Sequence, residues 1–303
     1  MVSLPVRPSN GALYGRFLDS GTGRALTKVQ DPAALANLLY RSQYANVVTF
    51  FDDFNQVTMN GDPWTKTKDA GATDFAVLLG SNGLVTGITG TTSGEGLSLF
   101  GPKVYSGLRN AGIEARFRIT GAITAVTVEM GFIDAITDKT TPACTDPDVP
   151  TFGAGLAEAA VWTWDTAETI ATPRVATKGA TSSVLAKTLT TPYDGYVLNT
   201  GTATAGYVPV VDNFYTVRVQ LINPTDEAGN PGTISSVECT VFDSNDPKKI
   251  KVLSQKTIDA IAGAEVLGGV TAATTLAPWF AIATSNTTSK AMDIDYVSIW
   301  QDR

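Results

Sequence analysis

No histidine occurs among the 303 residues. Its absence removes Ser-His-Asp and Cys-His nucleophile pairs, His-ligated zinc sites and His-based pH switching. Carboxylate pairs, lysine bases and oxygen-ligated metals stay open. Cysteine is nearly as scarce, with only Cys144 and Cys239. Cys239 alternates with Val237 and Val241 in SSVECTVFD, the pattern of a buried strand, whereas Cys144 lies in the Pro-rich stretch TPACTDPDVP. Two independent reduced thiols is a simpler reading than a bridge. Charge is also sparse, at 17% of residues against the usual ~25%. The net charge of −7 and pI near 4.7 exclude a nucleic-acid surface, which needs clustered Lys and Arg. The one tight basic group, Lys248, Lys249 and Lys251, reads as a solvated turn. No apolar run approaches the ~20 residues of a membrane span. The N-terminus, MVSLPVRPSNG, has no apolar run of useful length, so synthesis and folding in a cytoplasm are expected.

What is abundant is threonine, alanine, glycine and apolar residues, the last at 43%. Threonine is β-branched and sits well on the solvent face of a strand. Low charge with frequent Thr and Gly suits a β-sandwich with long polar loops.

Residues 1–46 read as an attachment segment. Pro5, Pro8, Gly11, Gly15, Gly21 and Gly23 interrupt regular structure up to about residue 30. Leu13, Tyr14, Phe17 and Leu18 are nonetheless apolar, as anchors of an extended arm would be. A short helix is expected to follow. Asp31 supplies an N-cap, Pro32 occupies the first helical position, and Leu35, Leu38 and Leu39 form an apolar stripe reaching Tyr44.

From residue 47 to 303 the pattern is that of strands. VVTFFDDFN, DFAVLLG, GLVTGIT and GLSLFGPKVY come first. AGIEARFRIT then alternates with Ile113, Ala115, Phe117 and Ile119 on one face and Glu114, Arg116, Arg118 and Thr120 on the other. AVTVEMGFID repeats this with Val126, Val128, Met130 and Phe132 inward. Residues from about 135 to 210 are irregular and loop-rich, and read as an elaborated loop region or a β-rich insertion at one edge. Within it GLAEAAVWTW fits a strand or a short helix. Regularity returns with FYTVRVQL and SSVECTVFD, an expected antiparallel pair, followed by KIKVLSQ and a possible short helix over 257–267. Spacings of about 8 to 15 residues between strands favour a sandwich over βαβ units.

The chain closes on LAPWFAIATSNTTSKAMDIDYVSIWQDR. This reads as a closing pair of strands joined by a polar turn, Ser285 to Lys290. Met292, Ile294, Tyr296 and Trp300 fall on one face at period two, with Asp293 and Asp295 on the other.

No catalytic motif stands out. Asp52 and Asp53 read as a turn. Asp293 and Asp295, roughly 7 Å apart on one strand face, read as solvated or hydrogen-bonded carboxylates. Asp243, Asn245 and Asp246 read as a polar turn capping a strand, although their oxygens are of the kind that a Ca²⁺ loop uses. Trp162 and Trp164 share a face if their segment is a strand, where exposed indoles would stack sugars; packing in a core is the plainer role. Tyr193 and Tyr196 are further stacking candidates. No cofactor or metal is expected.

Taken together, FFDDFN with nearby Trp64, the consecutive strands IEARFRIT and VTVEMGFID treated as a central pair, the later FYTVRVQL and SSVECTVFD, and the terminal IDYVSIWQ resemble a concanavalin A-like (lectin/glucanase) jelly roll. The form resembled is the one found in structural proteins of tailed bacteriophages. The implied fold is an all-β, antiparallel jelly-roll β-sandwich with an N-terminal extended arm and one short helix. That family includes endoglucanases with a Glu-x-Asp-x-x-Glu signature. The nearest counterpart here, VEMGFID, puts Glu129 and Asp134 on opposite faces and roughly 16 Å apart, too far for a retaining pair. The resemblance therefore implies a non-enzymatic virion protein, a capsid decoration or minor capsid protein on the outside of the shell. Its partners would be the major capsid protein and copies of itself, with neither nucleic acid nor membrane. It would reach the virion after synthesis in the host cytoplasm. Leu13, Tyr14, Phe17, Leu18, Leu35, Leu38 and Leu39 are the expected partner-binding residues. The alternative is a glycan-binding module of a tail fibre or adhesion protein, using Trp162 and Trp164.

Overall fold

The computed structural model describes residues 47–55, 59, 63–78, 83–135, 141–146, 151–167, 173–179, 185–188, 209–223, 230–243, 250–255 and 269–303. The expected arm and helix of residues 1–46, and the short helix expected over 257–267, lie outside them. Phe50–Asp302 forms a compact unit of its own.

That unit is built from strands. In chain order they are β1 (Val47–Asp52), β2 (Thr65–Lys68), β3 (Thr73–Leu78), β4 (Leu84–Ile88), β5 (Gly96–Phe100), β6 (Tyr105–Ser106), β7 (Gly112–Thr120), β8 (Val126–Ile133), β9 (Cys144–Asp146) and β10 (Thr151–Phe152). They continue with β11 (Ala159–Asp165), β12 (Arg174–Lys178), β13 (Leu185–Thr188), β14 (Tyr215–Ile222), β15 (Ile234–Asp243), β16 (Ile250–Gln255), β17 (Val270–Thr271), β18 (Thr275–Thr284) and β19 (Ala291–Asp302). A single 3₁₀ turn, Gly107–Arg109, is the only helical element among the described residues.

Two antiparallel sheets form. Sheet I runs β16-β15-β14-β7-β19-β4-β3, and sheet II runs β13-β12-β11-β8-β18-β5-β2. Their inner faces meet in one core. Ile113, Ala115, Phe117 and Ile119 of β7, Val217 and Val219 of β14, and Cys239 of β15 come from sheet I. Val128 and Met130 of β8, Trp162 and Trp164 of β11, and Phe280 and Ile282 of β18 come from sheet II. A ring contact joins the layers, Phe117 of β7 meeting Trp162 of β11 edge-on at 5.6 Å, and Trp64 meets Phe280 at 6.1 Å on the sheet II side. The all-β antiparallel sandwich expected from the alternation is what the chain adopts.

A second, smaller core lies on the outer side of sheet II. Phe100, Ile133, Val161, Ala176, Trp279 and Ala281 line it, and Ala143, Cys144, Phe152 and Leu156 cover it. The cover is the small β9–β10 ribbon and the chain beside it. For this reason β8 and β11 are buried along their whole length rather than on alternate residues.

The described part of the segment from 135 to 210 puts β11, β12 and β13 side by side at one edge of sheet II, and its undecided stretch is the strand β11. Three expectations need correction. The central pair IEARFRIT and VTVEMGFID are β7 and β8, which lie in opposite sheets. The closing pair is likewise divided: β18 pairs β8 and β5, while β19 pairs β7 and β4. The Ser285–Lys290 turn therefore crosses between layers instead of joining neighbours in one sheet. Finally, β19 carries a β-bulge between Ile294 and Tyr296. An extra residue in a strand flips every later side chain to the other face. Met292 and Ile294 point into the core, but beyond the bulge Val297 and Ile299 do so, and Tyr296 and Trp300 do not.

Trp162→Ala empties the largest site in this core. It is expected to cost about 3–5 kcal/mol in urea unfolding, and a loss below ~1 kcal/mol would contradict the packing described.

Candidate functional site

The outer face of sheet I carries a cluster of charged side chains that are matched in pairs. Two carboxylates of β19, Asp293 and Asp295, line up against two guanidinium groups of β7. Arg118 donates to Asp293 from both Nε at 2.9 Å and Nη2 at 2.8 Å, and Arg116 Nη1 donates to Asp295. Both arginines also lie over the Phe214 ring, at 4.1 and 4.8 Å from its centroid. One strand further along, Glu114 accepts from Arg218 Nε and Nη2 at 2.9 and 2.6 Å and from the Tyr296 hydroxyl at 2.9 Å. Burial and the Glu114 carboxylate push the Tyr296 hydroxyl well above its ordinary value of 10.0. Phe51 stacks on the Tyr296 ring at 5.8 Å. Asp293 and Asp295, read as solvated or hydrogen-bonded, are in fact buried ion-pair members at 4% and 2% exposure.

On the other sheet Glu129 is the notable carboxylate. It stands at the centre of β8, fully buried, and faces the second core. Its oxygens accept from the backbone N–H of Ala143, from that of Cys144 at 2.7 Å, and from Trp279 Nε1 at 3.0 Å. The carboxylate thus fastens the covering chain to the sheet. The sequence offered no local signal for this, since the two backbone donors lie 14 and 15 residues downstream. Asp134 is separately committed, accepting from Ala157 N at 3.1 Å. The two carboxylates serve different structural contacts and do not form a reacting pair.

The remaining candidates fall as follows. Trp162 and Trp164 are 1% and 0% exposed, so the stacking platform considered for them is corrected to core. Asp52 caps a turn, accepting from Phe54 N at 2.9 Å and Trp64 Nε1 at 3.0 Å. Cys144 and Cys239 are both buried and are not bridged to each other. Burial drives the Cys239 thiol far above its usual value. Leu13, Tyr14, Phe17, Leu18, Leu35, Leu38, Leu39, Tyr193, Tyr196, Asn245, Asp246, Lys248 and Lys249 lie outside the described residues. Asp243 ends β15, and Lys251 is in β16. Among the described residues no group of three His, Cys, Asp or Glu could hold a metal ion. No helix among them is long and apolar enough to cross a membrane.

One cation is out of place. Lys290 has the same strand parity as Met292 and Ile294, and it is 1% exposed. Its ammonium has no hydrogen-bond partner among the described residues. Burial lowers it from the ordinary 10.5, because the charged form loses its hydration. A base with a lowered folded value releases its proton first in the native state. Stability therefore rises with pH between that lowered value and 10.5. Lys290→Met keeps the alkyl bulk and removes the unpaired amine. It is expected to raise stability at pH 7 by about 1 kcal/mol or more and to abolish that alkaline gain. Destabilisation in chemical denaturation would mean that the amine has a partner.

No family model and no curated protein matches the sequence. Solved structures resemble the chain instead. A protein of unknown function from Shewanella oneidensis is 9% identical, with a TM-score of 0.49 over 85% of this chain and 87% of that one. Peanut lectin is 14% identical, with a TM-score of 0.47 over 84% and 97%. A β-1,3-glucanase from Mycobacterium marinum is 12% identical, with a TM-score of 0.41 over 83% and 97%. The chain itself is an antiparallel two-sheet β-sandwich.

Proposed function

We propose that this chain is a non-enzymatic structural protein of a tailed-bacteriophage virion, a capsid decoration or minor capsid protein attached through residues 1–46. The observation that carries the non-catalytic part is the commitment of the buried carboxylates. Glu114, Asp293 and Asp295 are matched by Arg218, Arg118 and Arg116. Glu129 holds the chain over sheet II, Glu158 accepts from Thr271 N at 2.9 Å, and Asp165 accepts from Thr127 Oγ1 at 2.7 Å. General acid–base work needs a carboxyl within reach of a substrate proton, and these carboxyls face protein donors. The virion part rests on the resemblance of FFDDFN and IDYVSIWQ to strands of phage structural proteins. The arm's apolar residues Leu13, Tyr14, Phe17 and Leu18 are the natural anchors for a shell.

A glycan-binding module would need ring faces other than Trp162 and Trp164, which lie in the core. Selective binding on a glycan array would move the reading there.

Removing residues 1–46 separates attachment from folding. The remaining body is expected to keep a β-type far-UV spectrum and one cooperative unfolding transition. It should also disappear from purified particles that incorporate the full chain. Equal incorporation of the truncated protein would overturn the attachment role.

A further inference from the structure

The short stretch Pro102–Asn110 concentrates two things that are scarce elsewhere. Val104 and Leu108 are exposed aliphatics at 51% and 43%, two of the five exposed large apolar residues among the described residues of Phe50–Asp302. Lys103 and Arg109 beside them are exposed and have no ionic or hydrogen-bond partner among the described residues. The other cations of that unit whose side chains are described are occupied or buried. Arg116, Arg118 and Arg218 are ion-paired. Lys66, Lys68 and Lys178 donate to the carbonyls of Phe75, Ala72 and Leu156. Lys290 is buried.

The stretch is also held in place. Tyr105 and Ser106 pair with Leu276 and Thr275 of β18, and Leu108 N donates to Ala272 O at 2.8 Å. Asn110 closes the 3₁₀ turn in a left-handed conformation (φ 47°), donates to Asp302 at 2.7 Å and accepts from Asn223 N at 2.8 Å. A fixed backbone loses little entropy on binding, and exposed aliphatics rimmed by free cations form a preorganised contact patch.

Charge decides what fits it. Five of the 22 basic and two of the 29 acidic residues lie in residues 1–46, leaving 17 basic against 27 acidic in the rest. The arm is thus net basic and would be repelled by Lys103 and Arg109, whereas the body is net −10. We infer that Pro102–Asn110 docks the acidic body of a second copy of this chain. Val104 and Leu108 supply the dry centre and Lys103 and Arg109 the charged rim. This deepens the reading as a multi-copy structural protein, and its test needs no particle, so the two can fail separately.

Sedimentation velocity on the full chain is expected to show concentration-dependent self-association at ~50 mM salt that weakens at ~0.5 M salt. K103E/R109E and, separately, V104D/L108D should each weaken it by about tenfold or more, with melting curves unchanged. K103R/R109K should leave it intact. A wild-type chain that stays monomeric at low salt overturns the inference. So does association that survives both pairs of changes, including the case in which it is lost only on replacing Leu13, Tyr14, Phe17 and Leu18 by Ser.

Discussion

The fold depends on one connection, the six-residue crossing from β18 to β19. Each of these strands is interior to its own sheet, so the Ser285–Lys290 turn joins the two layers near their middles. A strand hydrogen-bonded on both edges and packed on both faces has no solvent-facing row, so nearly every residue of both strands is buried. The crossing is itself tied down. Thr89 N donates to Lys290 O at 2.8 Å, Lys290 N donates to Thr89 Oγ1 at 2.9 Å, and Gly94 N donates to Thr284 O at 2.7 Å. The loop after β4 therefore grips the same turn that links the sheets.

The bulge at Asp295 shapes the polar side. Without the extra residue, the alternation begun at Met292 would carry Tyr296 and Trp300 into the core. With it, Tyr296 turns to the outer face and reaches Glu114, beside the pairs that Asp293 and Asp295 make with arginines of β7. Buried ion pairs add little net stability, but they cost several kcal/mol when one partner is lost. Their effect here is to favour a single register of β19 on β7. The same logic applies to Glu129, whose three N–H donors hold the cover of sheet II in one place. These charges hold β19 and the cover of sheet II in one arrangement.

Much of this was legible in the sequence. The inward faces of β7, β8 and β14 follow the period-two pattern residue by residue. The antiparallel pairing of β14 with β15 was readable from two adjacent alternating runs. What was not legible has physical reasons. A bulge leaves no compositional mark, so the face of Tyr296 and Trp300 was misassigned. An apolar strand reads alike in either layer, so β18 and β19 looked like a hairpin. The second core made β11 apolar on both faces, which blurred it between strand and helix. The role of Glu129 depended on donors brought over by a loop, and no spacing rule reports that.

The account's central claim is that β18 and β19 together hold the two sheets as one cooperative unit. Native-state amide hydrogen exchange tests it most directly. The amides of Ala277–Ala283 and of Met292–Ile299 are predicted to exchange only through global unfolding, with the same denaturant dependence as those of β7 and β8. Exchange of either strand through a smaller, local opening, at rates like those of the edge strands β2 and β3, would contradict it.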